Sequence, residues 1–203
     1  MKKLKTAYNR YDTALRFCSI ITVSLLVTTG CNNSTNKPAD TLNTQPQSPE
    51  KSNKASIGAD VKFIDDAAAI YRKEIKLGEL AQKKTKNADV KALGYMMETA
   101  HTSALNDLTA LAGKKHINIP DTASYELNAA YHELSEIPAD KFDKAYCIKM
   151  ESAHNSAIEV FERASRECID TDIKKMAEGM LTDFDTHLYH IVACLNKLDT
   201  KVK

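Results

Sequence analysis

Tryptophan is absent from this 203-residue chain, and glycine and proline are scarce, at 6 and 5. So few chain breakers exclude collagen-like and Gly/Pro-rich low-complexity classes, and leave room for long uninterrupted helices. An excess charge of one sign is also lacking, with 28 Lys and Arg against 27 Asp and Glu. This balance offers no basic field for nucleic acid and no acidic excess of the kind that keeps a whole chain unfolded. No apolar run approaches the roughly 20 residues that cross a bilayer. Cys-x-x-Cys, phosphate-loop, dinucleotide-binding and Ser-His-Asp signatures are all missing, which removes thioredoxin-like, nucleotide-dependent and serine-hydrolase chemistry.

What is present begins with an addressed N-terminus. Lys2, Lys3, Lys5, Arg10 and Arg16 stand against one acid, Asp12, and an uncharged run follows from Cys18 to Gly30. A basic segment, a short apolar segment and small residues before a cleavage point form a secretory signal. Leu26-Val27-Thr28-Thr29-Gly30-Cys31 resembles a bacterial lipobox, in which Cys31 is diacylated and becomes the new N-terminus; Thr28 stands where a Leu is usual. Asn32 in place of Asp resembles outer-membrane rather than inner-membrane sorting in enteric bacteria. Residues 32–56 are Asn, Ser, Thr, Gln, Pro and Lys with little to bury, and read as a tether. The expected division is a lipoprotein signal peptide over 1–30, lipidated Cys31 and a linker over 31–57, and a helical domain over 58–203. Its partner is a membrane, held through the lipid, with no nucleic acid. Its location is the bacterial cell envelope, with the outer membrane favoured over the inner. Nothing in the sequence specifies an oligomeric state.

From residue 57 on, apolar residues recur in steps of three and four along four stretches. Asp60 to Lys84 carries Ile64, Ala67, Ala68, Tyr71 and Ile75; a second stretch, capped by Asn87 and closed by Gly113 as a left-handed residue, carries Val90, Leu93, Met97, Leu108 and Leu111. A third, capped by Asp140, carries Phe142, Tyr146, Met150 and Phe161; a fourth, capped by Asp170 or Thr171, carries Ile173, Ala177, Phe184, Ile191 and Leu195. Short connections near Lys86 and Ile169 predict two antiparallel hairpins, and the long stretch from Gly113 to Asp140 can run the length of a bundle. The expected fold is all-α: a ferritin-like four-helix bundle, two hairpins joined by a long crossover.

Ala92-Leu93-Gly94-Tyr95-Met96-Met97 with His101, Phe142-Asp143-Lys144-Ala145-Tyr146 with His154, His187-Leu188, and Glu74-Ile75-Lys76-Leu77-Gly78 occur in order. Together they resemble a bacterial family of ferritin-like domains of unknown function found in exported and outer-membrane proteins. That family has Asp before the histidines of helices 2 and 3; here Ala100 and Ala153 stand instead. The resemblance implies a fold and a location, and no reaction.

In a tight antiparallel hairpin, facing residues have constant index sums. By that rule His154 and His187 share a layer, Glu74 and Glu98 share a layer, and Cys147 faces Cys194, a candidate disulfide. Glu98-x-x-His101 and Glu151-x-x-His154 each put two ligand types on one helical face, and Asp183 joins His187 on helix 4. Glu74, His101, His154 and His187, flanked by Glu98, Glu151 and Asp183, form the candidate metal site. Mixed imidazole and carboxylate donors suit Fe, Zn or Mn. The competing reading is a hydrogen-bonded polar core without metal. Tyr71 and Tyr146 read as packing, His116 and His132 as surface, and Cys168 as a thiol near a turn without a partner. The functional expectation is a non-catalytic envelope binding or stress-related module with no catalytic residue assigned. The alternatives are a di-iron-type oxidase or peroxide-consuming enzyme, and a pure protein-interaction module.

Overall fold

A computed structural model describes residues 49–120 and 125–200, and among these the chain forms five helices and no strand. The helices are α1 Pro49–Lys84, α2 Ala88–Lys114, α3 Tyr125–Glu136, α4 Ala139–Glu167 and α5 Thr171–Thr200. The signal segment, the lipidation position Cys31 and residues 32–48 of the tether lie outside the described residues. Helix α1 starts at Pro49, ahead of the expected Asp60, so 49–57 are helical rather than tether. Proline is well suited to a first helical turn, where its missing N–H would have had no partner. The polar composition of this stretch disfavours burial but does not disfavour a helix continuous with the apolar one beyond it.

The turns hold because side chains answer the free backbone groups of the helix ends. Asn87 caps α2 as expected, its side chain accepting from the Asp89 N–H at 2.9 Å. Thr85 in the same turn donates to Asp143 at 2.5 Å, fastening the α1–α2 turn to α4. Lys84 donates to the carbonyls of Leu134 and Ser135 at the end of α3. Asp170 caps α5, accepting from the N–H groups of Asp172 and Ile173. The buried carboxylate of Asp60 in α1 accepts from Ile169 and Asp170 in the α4–α5 turn. Arg72 donates to the Pro120 carbonyl at 2.6 Å and holds the start of the crossover on α1.

Two ends differ from expectation. Helix α4 is preceded by Pro138, which makes no side-chain cap, and Asp140 lies in the first turn, where it meets the positive end of the helix dipole. Gly113 is not the left-handed closing residue of α2: the helix runs through Lys114, and His116 takes that conformation at φ 58°. The Ile117 N–H then reaches Ala112 O at 2.9 Å and the His116 N–H reaches Gly113 O at 3.2 Å, the paired bonds of a Schellman closure. Just past the reversal, Ile117 packs against the core. His116→Gly therefore removes the left-handed penalty of an L-residue, and Gly113→Ala, with nothing within 4 Å of the added Cβ, removes a helix breaker. Each should raise stability by about 0.5–1 kcal/mol, read as a thermal midpoint about 2–4 °C higher per kcal/mol. A fall in either midpoint would contradict this account of the α2 terminus.

The pairs α1–α2 and α4–α5 form the main contacts, with α1 also against α4, α2 against α5, and α3 against α1 and α4. The buried residues fall into two apolar clusters at opposite ends of the long helices. One gathers Phe63, Ile64, Tyr71, Leu108, Phe161, Ile173 and Phe184. The other gathers Leu77, Val90, Met97, Phe142, Tyr146, Met150 and Ile191. Along α1 the first cluster stops at Tyr71 and the second starts at Leu77; along α4 the break lies between Met150 and Ala157. Each of the four long helices leaves such a gap at the same level, and one polar residue occupies each.

Candidate metal centre

The four residues in the gap are Glu74 in α1, His101 in α2, His154 in α4 and His187 in α5, all buried. Each lies three or four residues from an apolar neighbour on its own stripe, which is why a helix that buries the stripe must bury it too. The imidazole ring centres stand 5.1 Å apart for His101–His187, 5.5 Å for His154–His187 and 5.6 Å for His101–His154. One nitrogen from each ring lies within 4.8 Å of the other two, so small adjustments would bring all three to about 2.1 Å from one ion.

The surroundings orient the rings. His154 Nδ1 lies 3.1 Å from the Met150 carbonyl, which can only accept, so that nitrogen carries the proton and the Nε2 lone pair faces His187 Nδ1 at 3.4 Å. Glu74 Oε2 stands 3.9 Å from the same His154 Nδ1. The carboxylate therefore meets the back edge of His154 and not the centre of the trio. Neither Glu74 oxygen makes a hydrogen bond there; a carboxylate drawn onto that edge by a bound cation would hold the ligating imidazole in its tautomer and raise its basicity. Tyr71 stacks on His101 with ring centres 5.6 Å apart, and Phe184 meets His154 edge-on at 5.5 Å.

Burial sets the charge state. It pushes the Glu74 carboxyl up to about 8, lowers His154 to about 3, and takes His101 well below the usual imidazole range, with the neighbouring imidazoles adding to the effect on His101. His187 is also lowered by burial, against an opposing pull from Asp183. At neutral pH the layer holds three neutral imidazoles and a protonated carboxyl. Both oxygens of Glu74, both nitrogens of His101, and the hydroxyls of Tyr71 and Tyr146 are buried without a hydrogen-bond partner. Leaving a buried polar group unpaired costs about 1–3 kcal/mol, and Glu74 and His101 alone leave four such atoms in one layer. A cation held by the imidazoles would engage His101 and favour an ionised Glu74.

Of the residues singled out in the sequence, Glu98, Glu151 and Asp183 stay outside this centre. Glu98 is half-buried and accepts from Gln82, Glu151 is half-buried, and Asp183 is exposed. The Glu-x-x-His spacing does place Glu98 on the same side of α2 as His101. The offset nevertheless carries it to the flank, where Gln82 of α1 engages it. Tyr71 and Tyr146, read as packing, contribute polar atoms as well, and the signal for this was their position on the same stripes as Glu74 and His154. His116, His132 and His190 are exposed, in line with the surface expectation for the first two. Cys147 and Cys194 do face each other, as free thiols with Sγ atoms 3.7 Å apart.

A family model described as a domain of unknown function, DUF4142, matches residues 44–193. No curated protein matches the chain in sequence. The crystal structure of a DUF305 fragment from Deinococcus radiodurans is similar to it in fold, with a TM-score of 0.62 at 12% identity over 68% of this chain and 96% of that one. The crystal structure of a conserved hypothetical protein, rv2844, from Mycobacterium tuberculosis is similar with a TM-score of 0.57 at 14% identity, over 70% of this chain and 93% of its own. At such identities the likeness concerns the fold alone.

Proposed function

This chain belongs to the DUF4142 family of domains of unknown function, and on that premise we propose that it is a lipid-anchored cell-envelope module, a ferritin-like four-helix bundle that binds one divalent metal ion through His101, His154 and His187. The observation carrying this reading is the convergence of three buried imidazoles in a layer where both oxygens of Glu74 and both nitrogens of His101 have no hydrogen-bond partner. Glu74 acts behind His154 as the residue that positions it and supplies negative charge. Nitrogen donors with a nearby carboxylate suit Zn, Fe or Mn. A di-iron site in a bundle calls for carboxylates from all four helices; with one buried carboxylate and Glu98, Glu151 and Asp183 at the flanks, a single ion fits better. Glu74, His101 and His154 are fully buried and His187 nearly so, which favours holding an ion over turning over a substrate.

The direct test is elemental analysis of the mature protein purified without chelator or affinity tag, followed by titration with Zn(II), Fe(II) and Mn(II). About one ion per chain supports the reading; no uptake of any of the three overturns it and leaves a polar core network.

The anchor rests on Gly30-Cys31 after the uncharged run and on the polar stretch behind it. Cys31→Ser should move the protein from the membrane fraction to the soluble fraction or leave it unprocessed, as read by fractionation and intact mass. A fully membrane-bound variant of unchanged mass would rule the anchor out. Among the described residues no helix is long and apolar enough to cross a membrane.

A further inference from the structure

Two helical turns from the histidine layer, Cys147 of α4 and Cys194 of α5 meet across the helix pair, with Sγ atoms 3.7 Å apart. The two thiols are not equivalent. Cys147 is fully enclosed. Cys194 lines a cleft of about 210 Å³ between α2 and α5, together with Leu93, Met96, His190 and Lys197. Cys194 is itself largely buried, but of the two thiols it is the one that borders the cleft, with Cys147 on its far side. The Cys147 thiol donates to Cys194, which favours the thiolate form of Cys194, and the same contact together with burial keeps Cys147 protonated. Lys197, one turn along α5, also lines the cleft, but it is paired with Asp89 at 2.8 Å, so the two charges largely offset each other at Cys194 and the Cys147 contact is what favours its thiolate.

We propose that Cys194 is a thiol-exchange site for a small disulfide entering this cleft, and that Cys147 resolves the product into a Cys147–Cys194 bridge. In the first step the Cys194 thiolate attacks one sulfur of the small disulfide. A mixed disulfide forms on Cys194 and one small thiolate leaves. In the second step Cys147 attacks the Cys194 sulfur, releases the second small thiolate and passes its own proton to it. Two protein thiols are oxidised and one small disulfide is reduced to two thiols, with no further reactant. The sulfurs must close from 3.7 Å to a bond length of about 2.05 Å. Cys168 has no such partner: it is buried at the α4–α5 turn, near the Ala59 carbonyl.

The test treats the folded full chain with oxidised glutathione, quenches free thiols, and maps the peptides containing Cys147, Cys168 and Cys194. In the wild type, a Cys147–Cys194 cross-linked peptide should accumulate in most chains while Cys168 stays free. In Cys147→Ala, one glutathione should be trapped on Cys194; in Cys194→Ala, Cys147 should stay unmodified. The wild-type map decides the proposal even if neither variant folds. Three free thiols after treatment, or a reaction centred on Cys168, overturns it. An adduct forming on Cys147 as readily as on Cys194 overturns the assigned order of attack.

Discussion

Metal-free protein will be most stable near pH 6.5 and will weaken on both sides of it, whereas protein loaded with Zn(II) will weaken only on the acid side. The sign follows from which state holds more protons. Between about 3 and 6.5, unfolded imidazoles are protonated while His154, with its value near 3, is not, and burial shifts His101 and His187 in the same direction. The unfolded state then binds more protons, so stability rises with pH through this window. Glu74 acts oppositely. Its folded value near 8 lies above the ordinary 4.5, so from 4.5 to 8 the folded state holds the extra proton and stability falls as pH rises. Below 6.5 three histidines outweigh one carboxyl; above it Glu74 acts alone.

A bound dication changes the second half of this profile. It favours an ionised Glu74, so metal uptake between pH 6.5 and 8 expels up to one proton. Apparent affinity should then climb by up to about tenfold per pH unit in that interval and level off above it. Glu74→Gln has no such proton: it should still take up metal, with an affinity that is flat from pH 6.5 to 8.5. His154→Ala removes a ligand and should abolish stoichiometric uptake while helix content is kept. Metal at about 100 times its dissociation constant adds about 2.7 kcal/mol to the wild type and should add almost nothing to His154→Ala. Urea unfolding and calorimetric Zn(II) titration across pH 5.5–8.5 read all three proteins. A metal-free stability that keeps rising to pH 8, or an equal affinity slope in Glu74→Gln, would remove Glu74 from the centre.

Periodicity carried the sequence a long way toward this site and failed in places that have physical causes. The stripes of α2, α4 and α5 pass through His101, His154 and His187, and a helix cannot bury the neighbours of such a residue while exposing it. Index sums located the His154–His187 and Cys147–Cys194 contacts, because an antiparallel pair joined by a short turn has only one register. Spacing put Glu98, Glu151 and Asp183 at the flanks without deciding whether they would reach the centre. A residue three or four positions from a buried one is on the same side of the helix, but only side-chain direction and the neighbouring helix decide whether it reaches the centre or the flank. It could not foresee Glu74 behind His154 either, since that depends on which ring nitrogen the Met150 carbonyl takes. The α2 terminus was misread because glycine is the usual left-handed residue, whereas His116 takes that conformation here, with Ile117 just beyond it packed against the core.

Replacing either glycine at the α1–α2 crossing should cost more stability than any other single added methyl in the domain. Gly78 and Gly94 face each other, and their absent side chains let the two backbones touch. A Cβ on Gly78 would lie 2.6 Å from the Gly94 carbonyl oxygen and 3.0 Å from the Glu98 nitrogen; one on Gly94 would lie 2.8 Å from the Gly78 carbonyl oxygen and 3.0 Å from the Ala81 Cβ. The obstructing atoms are mainly backbone, so no rotamer change relieves the clash and the helices must separate. Overpacking of this kind costs about 1–3 kcal/mol per inserted group, against a gain of about 1 kcal/mol in helix propensity. Gly78→Ala should therefore lower stability by up to about 2 kcal/mol net, and Gly78→Val by more. Gly179→Ala in α5, where the new Cβ meets nothing within 4 Å, isolates the propensity term and should raise stability by about 1 kcal/mol. The same separation reaches the metal centre, because Glu74 lies one turn from Gly78 and His101 two turns from Gly94. Zn(II) affinity should drop in Gly78→Ala and Gly94→Ala and stay unchanged in Gly179→Ala. Wild-type stability and affinity in Gly78→Ala would mean that the two helices do not approach this closely, and that the histidine layer does not depend on the glycine contact.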